Sequence, residues 1–297
     1  MKKILIYSIG AVFLLLAGFI IFKKISQTLD DKRLEERLAQ MESTASPNVQ
    51  ILSKAIPIDA QDQNRTIAVY LPANYDADTL HYSVLYFLDG QFLFDQKIFG
   101  GTEWQLDEVM DSLGDRPQEQ SIIVGLYHSD NRGQEYKPLP SSEWFSDNSF
   151  SGDQHAKWIV EQVKPWIDQR YRTKKDPQST VIGGASFGGL MSYFMLMKYP
   201  DTFGSAVVLS PSFWVNDEVY TLHLENENLL DQKIYFNAGE LEPSTIQNME
   251  KMKETLLNHG VPESNIRSNV VKGLGHSHSA WRLGFRDAYP WIIQADK

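Results

Sequence analysis

The segment Gly183-Gly184-Ala185-Ser186-Phe187-Gly188-Gly189 decides the fold that we expect for the whole chain. A short apolar run, residues 180–182, precedes it, and a helix-like stretch, residues 190–198, follows it. A Gly-x-Ser-x-Gly pattern between a strand and a helix is typical of a sharp turn that presents a nucleophilic serine. Such a turn needs small residues beside the serine, and the glycines supply them. We therefore predict that Ser186 is a catalytic nucleophile.

The length and composition are those of a globular protein with room for one large domain and a short extra segment. The chain has 297 residues, of which 42% are hydrophobic and 12% aromatic, so it can bury a sizeable core. Its net charge is -10, which argues against a nucleic-acid partner because such binding rests on neutralising phosphates. The absence of cysteine excludes a cysteine nucleophile, a thiolate metal site and disulfides.

The N-terminal segment has the pattern of a membrane anchor. An uncharged run, residues 4–22, lies between the pairs Lys2-Lys3 and Lys23-Lys24. As a helix rising about 1.5 Å per residue, this run is close to the roughly 30 Å thickness of a hydrocarbon core. No small-x-small cleavage site follows it, so we favour an uncleaved signal anchor over a removed leader. We predict a single-pass protein of the inner (cytoplasmic) membrane, with its catalytic domain outside the cytoplasm.

The remaining chain is expected to form a helical stalk and linker, residues 25–48, and one domain, residues 49–297. Strand patterns in the domain alternate with helical patterns, which indicates a mainly parallel central sheet flanked by helices. Together with the turn at Ser186, this predicts the α/β-hydrolase fold with an N-terminal transmembrane helix. The predicted strands are 65–71, 83–88, 121–126, 180–184, 206–209, 233–238 and 267–271, and the main helices are 155–171, 246–259 and one from residue 280.

The catalytic base is expected in the loop that follows the last predicted strand. A serine needs a base to take its proton, and in this fold class the chain order is serine, acid, histidine. The Gly-rich loop of residues 273–281 carries His276 and His278. We prefer His276, which directly follows a glycine early in the loop. His278 is the alternative base, or else a residue that lines the substrate pocket.

The acid that orients the histidine is expected after the strand of residues 233–238. Two carboxylates follow this strand, Glu240 and Glu242. Glu242 is preferred because it lies three residues after the turn glycine, and Glu240 is the alternative. Either could instead cap the helix that Pro243 begins.

An oxyanion hole requires two backbone N–H donors. One donor is expected at Phe187, directly after the nucleophile. The second is expected after the strand of residues 83–88, where Gly90 permits a sharp turn. We assign it to Gln91, with Gly90 as the alternative. Taken alone, Asp89-Gly90 would be read as an ordinary turn.

Many segments in this order resemble the esterase D / enterochelin esterase branch of the α/β-hydrolases. The resemblance covers about residues 64–291. Its segments include 65–72, 84–91, Trp104 with Asp107-Glu108, 124–126 with Arg132 and Glu135-Tyr136, 164–167, 171–173, the turn at Ser186, 199–204, 210–214, and Gly275-His276 with Trp281-Arg282. It implies a serine carboxylesterase that acts on a small-molecule ester with no cofactor and no metal.

Known members of this branch cleave siderophore trilactones, S-formylglutathione and acyl or feruloyl esters, and one branch transfers acyl groups. The resemblance therefore keeps an acyltransferase with the same triad as an alternative to hydrolysis. A non-catalytic binding protein is a weaker alternative, because serine, acid and histidine candidates are all present in order.

Two further residues have both a functional and a structural interpretation. Arg132 could bind an anionic or catechol-bearing substrate, or it could form an ion pair with Glu135 three residues later. Trp214 could line the acyl pocket, or it could pack beneath the turn at Ser186.

Overall fold

The computed structural model describes residues 23, 32–34, 36–57, 64–98, 101–114, 116, 119–139 and 151–293. The predicted membrane anchor, residues 4–22, lies outside the described residues. Within the described part of the chain, no helix combines the length and the apolar character that crossing a membrane requires. Residues 32–34 and 36–40 are helical, as predicted for the stalk.

One eight-stranded sheet forms the centre of the domain. Its spatial order is β1-β2-β4-β3-β5-β6-β7-β8. The first strand pairs antiparallel with the second, and the second with the fourth, while the other neighbours pair in parallel. The strands are β1 (Val49–Pro57), β2 (Asn64–Tyr70), β3 (Ser83–Leu88), β4 (Ser121–Leu126), β5 (Thr180–Ala185), β6 (Ser205–Leu209), β7 (Lys233–Gly239) and β8 (Ile266–Val271). The prediction of a mainly parallel sheet is confirmed.

Helices cover both faces of the sheet. They are α1 (Leu106–Asp111), α2 (Arg132–Glu135), α3 (Gly152–Trp158), α4 (Lys164–Arg170), α5 (Phe187–Lys198), α6 (Pro243–Asn258) and α7 (His278–Ile292), with a π turn, Ile159–Val163, between α3 and α4. One apolar cluster joins the sheet to α3, α4, α5 and α6, and another joins its opposite face to α1 and α7. Successive residues of β3 therefore enter different cores, which explains why this strand is apolar throughout.

The strands that are buried on both faces match the sequence prediction most closely. The predicted bounds of β3 and β4 are those observed. The edge strand β1 was not predicted, because most of its residues are exposed or half-buried and it lacks an apolar alternation.

Residues 43–48, which were predicted as a linker, lie against the domain. Each of four residues in this segment donates a hydrogen bond to a carboxylate of the domain. The pairs are Ser43 Oγ with Asp95, Thr44 Oγ1 with Glu103, Ser46 N–H with Asp107, and Asn48 Nδ2 with Asp111, at 2.7 to 3.2 Å. The segment is therefore held against α1 and against the chain that precedes α1.

Candidate active site

Ser186 stands at a strained turn between β5 and α5. Its φ of 61° and ψ of -121° are sparsely populated by residues other than glycine. Its N–H donates to the carbonyl oxygen of Leu209 at the end of β6, 2.9 Å away. A Cβ added at Gly184 would lie 2.8 Å from the backbone of Gly188, and one added at Gly189 would lie 2.8 Å from the oxygen of Leu209. The turn therefore accepts only glycine at these two positions, of which Gly184 is the first glycine of the Gly-x-Ser-x-Gly motif.

The structure pairs His276 with Glu242. The Nδ1 atom of His276 lies 2.6 Å from Oε1 of Glu242. Glu242 follows β7 and His276 follows β8, and these neighbouring parallel strands end at the same edge of the sheet as β5. The alternative acid, Glu240, is exposed and accepts the N–H of Gly273 at 2.7 Å. Of the two acid candidates, Glu242 is the one in contact with the histidine.

The surroundings of Glu242 keep it ionised. Burial raises the pKa of its carboxyl, but hydrogen bonds from His276, from the N–H of Gly239 and from the hydroxyl of Ser210 outweigh burial and lower the pKa below its ordinary value. An ionised carboxylate can only accept hydrogen bonds, so the Nδ1 of His276 carries the hydrogen. The Nε2 of the neutral ring is then left as the basic nitrogen.

Two serines after β6 contribute to this arrangement and were not assigned a role from the sequence. Ser210, with a φ of 39°, accepts the indole N–H of Trp281 at 3.0 Å and donates to Glu242 at 2.9 Å. The Oγ of Ser212 lies 3.5 Å from the Oγ of Ser186. Their position directly after a buried parallel strand is the signal that could have found them, since such strands end at the same edge.

The turn expected to supply an oxyanion donor is tightly packed. Asp89 has a left-handed backbone, with a φ of 63°, and a short 3₁₀ turn, Gly90–Phe92, follows it. A Cβ added at Gly90 would lie 2.4 Å from the backbone of Gly125 in β4. Gln91 is buried in this turn, and Phe187 is the first residue of α5. The candidate donors thus follow β3 and β5, which are adjacent in the sheet.

The structural interpretation of Arg132, an ion pair with Glu135, is wrong. Arg132 instead binds Asp89 through two hydrogen bonds, from Nε to Oδ1 at 2.5 Å and from Nη2 to Oδ2 at 2.7 Å. Glu135 pairs with Arg65 of β2. Burial alone would lower the pKa of Arg132, but hydrogen bonding and the charge of Asp89 raise it above its ordinary value. Arg132 therefore pairs with Asp89, 43 residues away in the sequence, and not with Glu135 in its own helix.

The remaining two candidate residues lie among aromatic rings. The ring of His278 lies 4.8 Å from Phe92 and 5.1 Å from Trp281, and burial lowers its pKa. Trp214 is 51% exposed, with its ring 6.3 Å from that of Phe187. Because it is half-exposed, Trp214 does not pack beneath the turn, and its role in binding substrate stays a prediction. The same holds for His278.

Comparison with known proteins identifies the family. Residues 58–292 match the family model described as "Putative esterase". The chain belongs to this esterase family. The resemblance that the sequence motifs indicated is therefore confirmed.

Relatives of this esterase include proteins from Bacillus subtilis. YbbA, an uncharacterised protein, is 26% identical over 240 residues, which cover 77% of this chain and 92% of YbbA. The ferri-bacillibactin esterase BesA is 25% identical over 250 residues, covering 74% of this chain and 82% of BesA. A solved ferulic acid esterase aligns with a TM-score of 0.62 at 18% identity, covering 85% of this chain and 99% of that one. This likeness supports the α/β-hydrolase-like fold.

The esterase has a cluster of three carboxylates, formed by Glu103, Asp107 and Glu108. One oxygen atom from each of them lies within 4.8 Å of the other two. This group could hold a cation. Burial and a hydrogen bond with Glu108 raise the pKa of Asp107 well above its usual range. No second observation points to a bound ion there, and we assign the group no cofactor.

The lowered pKa of Glu242 predicts a pH-dependent contribution to stability. A carboxylate whose pKa is lower in the folded chain stabilises the fold above its unfolded-state pKa, and this contribution is lost as pH falls through the folded-state value. We expect the wild-type esterase to be more stable than Glu242→Gln at about pH 7, with the difference shrinking below the ordinary value of 4.5. Urea unfolding at a series of pH values measures this difference.

The matched control is Glu240→Gln, which removes the same charge from an exposed position on the same loop. It should change the free energy of unfolding little across the series. A stability difference for Glu242→Gln that stays constant as the pH falls would contradict the prediction.

Proposed function

We propose that this protein is a serine carboxylic-ester hydrolase that works through an acyl-enzyme intermediate. The observation that carries the proposal is the convergence at one edge of the sheet. There, the strained turn of Ser186 and the hydrogen-bonded pair of His276 and Glu242 follow strands β5, β8 and β7. Membership of the esterase family supports the same reaction class.

In the proposed first half-reaction, the Oγ of Ser186 attacks the carbonyl carbon of the ester. The Nε2 of His276 takes the hydroxyl proton, and Glu242 stabilises the imidazolium through the hydrogen bond to Nδ1. The tetrahedral oxyanion is held by the N–H groups of Phe187 and Gln91. The carbon–oxygen bond of the ester then breaks, and His276 passes its proton to the departing alcohol.

In the second half-reaction, a water molecule replaces the alcohol. His276 takes a proton from the water as its oxygen attacks the acyl carbon, and the same two amides hold the second oxyanion. The bond to Ser186 Oγ then breaks, and the serine recovers its proton from His276. The products are the free acid and the unmodified enzyme.

The nucleophile assignment predicts different outcomes for two neighbouring serines. Ser186→Ala should lose the turnover of p-nitrophenyl acetate and all labelling by a fluorophosphonate probe, because no acyl or phosphonyl acceptor remains. Ser212→Ala should still be labelled, with the adduct on Ser186 by mass spectrometry of the digested protein. Because the two Oγ atoms are only 3.5 Å apart, the position of the adduct decides between them. An adduct on Ser212, or normal turnover by Ser186→Ala, would refute the assignment.

We propose a siderophore ester of the trilactone class as the substrate. The sequence similarity to BesA, named as a ferri-bacillibactin esterase, supports this class. Aromatic side chains next to the candidate nucleophile and oxyanion turns suit the catechol rings of such a compound. On one side these are Phe187 and half-exposed Trp214, and on the other Phe92 and His278.

The substrate proposal is tested by kcat/KM on four ester classes: a catechol trilactone, a feruloyl ester, a formyl thioester and a short acyl ester. We expect the trilactone to be preferred by at least about tenfold. Trp214→Ala should reduce the trilactone preference while leaving p-nitrophenyl acetate turnover within about threefold, because it removes aromatic surface and no reacting group. A preference for the feruloyl or formyl compound would contradict this substrate class.

We further propose that residues 1–24 anchor the protein in the inner membrane, with the domain outside the cytoplasm. The support for an anchor is the uncharged run flanked by lysine pairs, while the orientation is left to the experiment. The full chain should stay in the membrane pellet after carbonate extraction and be digested by protease added to spheroplasts. The variant that lacks residues 1–24 should be found in the supernatant. A mature N-terminus downstream of residue 22 would contradict an uncleaved anchor.

A further inference from the structure

The turn that follows β3 contains a buried negative charge. The side chain of Asp89 is 2% exposed, and its carboxylate is bound by both Nε and Nη2 of Arg132. A buried carboxylate is costly unless it is paired and hydrogen-bonded. The two parallel bonds from one planar guanidinium also fix the orientation of the carboxylate. Arg132 therefore holds the Asp89 carboxylate in one orientation.

Arg132 also contacts the chain beside the nucleophile. Its Nη2 donates to the carbonyl oxygen of Ala185, 3.3 Å away. Ala185 is the last residue of β5 and directly precedes Ser186. One guanidinium thus links the turn that contains Gln91 to the turn that contains Ser186 and Phe187.

The backbone of the Asp89 turn is held from a third direction. The hydroxyl of Tyr136, which is fully buried, accepts the N–H of Asp89 at 3.0 Å, and Arg132 lies over the Tyr136 ring at 5.0 Å. A Cβ added at Gly188, in the first turn of α5, would lie 3.2 Å from Oδ2 of Asp89. The Asp89 carboxylate therefore packs between Arg132 and the start of the helix that Phe187 begins.

We propose that Arg132 is a positioning residue for the oxyanion hole, acting through Asp89 and Ala185. It sets the separation between the amides of Gln91 and Phe187, which belong to the two turns that it joins. This inference rests on the proposed serine-hydrolase function. It gives Arg132 a role other than binding an anionic substrate, since two of its nitrogens are already committed to Asp89.

The position of the two amides matters in the transition state more than in the ground state. Oxyanion donors act on the charge that develops as the tetrahedral intermediate forms, and losing one costs about 10²–10³ in kcat. A displacement of about 1 Å in a catalytic arrangement can cost about 10²-fold. Loosening the Asp89 turn should therefore lower kcat and leave KM for a neutral ester nearly unchanged.

The test compares Arg132→Gln and Arg132→Lys with the wild type on neutral p-nitrophenyl acetate. A boronic acid inhibitor serves as the transition-state probe, because its tetrahedral adduct on serine places an oxygen in the oxyanion hole. For Arg132→Gln we expect kcat to fall about 100-fold, KM to stay within about threefold and inhibitor affinity to fall in parallel with kcat. Arg132→Lys keeps the charge without the two-bond geometry and should recover only part of the loss.

The matched control is Arg172→Gln. Like Arg132, Arg172 pairs with an aspartate, Asp78, at 3.5 Å, and it lies over a tyrosine ring, that of Tyr75, at 3.8 Å. Arg172 comes after the C-terminal end of α4 and belongs to neither of the two turns that Arg132 joins. This variant should keep the kcat and the inhibitor affinity of the wild type. The comparison separates a positioning role from a general loss of packing.

Three results would overturn the inference. They are an unchanged kcat in Arg132→Gln, a rise in KM without a fall in kcat, and a fall in kcat without a fall in inhibitor affinity. If Arg132→Gln does not fold, Tyr136→Phe replaces it, with an expected fall in kcat of about tenfold at constant KM. Failure of the proposed function is recognised separately, because the wild type would then neither turn over the ester nor be labelled on Ser186.

Discussion

The strained backbone of Ser186, with its positive φ, is the constraint on which the rest of the site depends. Holding a residue other than glycine in this region costs about 1–3 kcal/mol, so the surrounding structure must enforce it. The enforcing contacts are the N–H bond to Leu209 and the close approach of Gly184 to Gly188. Because β6 supplies one side of the turn, the residues that follow β6, among them Ser210 and Ser212, are brought beside the nucleophile.

One buried carboxylate lies on each side of this turn, and each accepts hydrogen bonds from neighbouring groups. Asp89 follows β3 and is paired with Arg132, while Glu242 follows β7 and receives hydrogen bonds from Ser210, Gly239 and His276. In a poorly solvated environment, such groups act as fixed charges that need no reorganisation during a reaction. The same burial makes them sensitive, because removing one partner leaves a buried charge uncompensated. The geometry of the site is therefore tied to the stability of the domain.

The sequence predicted those parts of the fold that depend on local pattern. The bounds of β3 and β4 were predicted as observed, because strands buried on both faces are continuous apolar runs. The edge strand β1 was missed, since an exposed strand has no such run. The structural interpretation of Arg132 named the wrong acid. A pair of charges three residues apart can be recognised in a sequence, whereas the contact of Arg132 with Asp89, 43 residues away, depends on the fold. The contacts of residues 43–48 with the domain were missed for the same reason.

The sequence by itself determined that a serine stands at a glycine-flanked turn between a strand and a helix. It also determined that acid and histidine candidates follow later strands in the order of this fold class. Only the tertiary structure decided that Glu242 rather than Glu240 contacts His276, that Ser210 joins Glu242 to Trp281, and that Arg132 links the Asp89 turn to Ala185. The physical reason is that strand and turn patterns arise from neighbours along the chain. The partner of a buried charge, in contrast, is whichever group the packed sheet brings within hydrogen-bond distance.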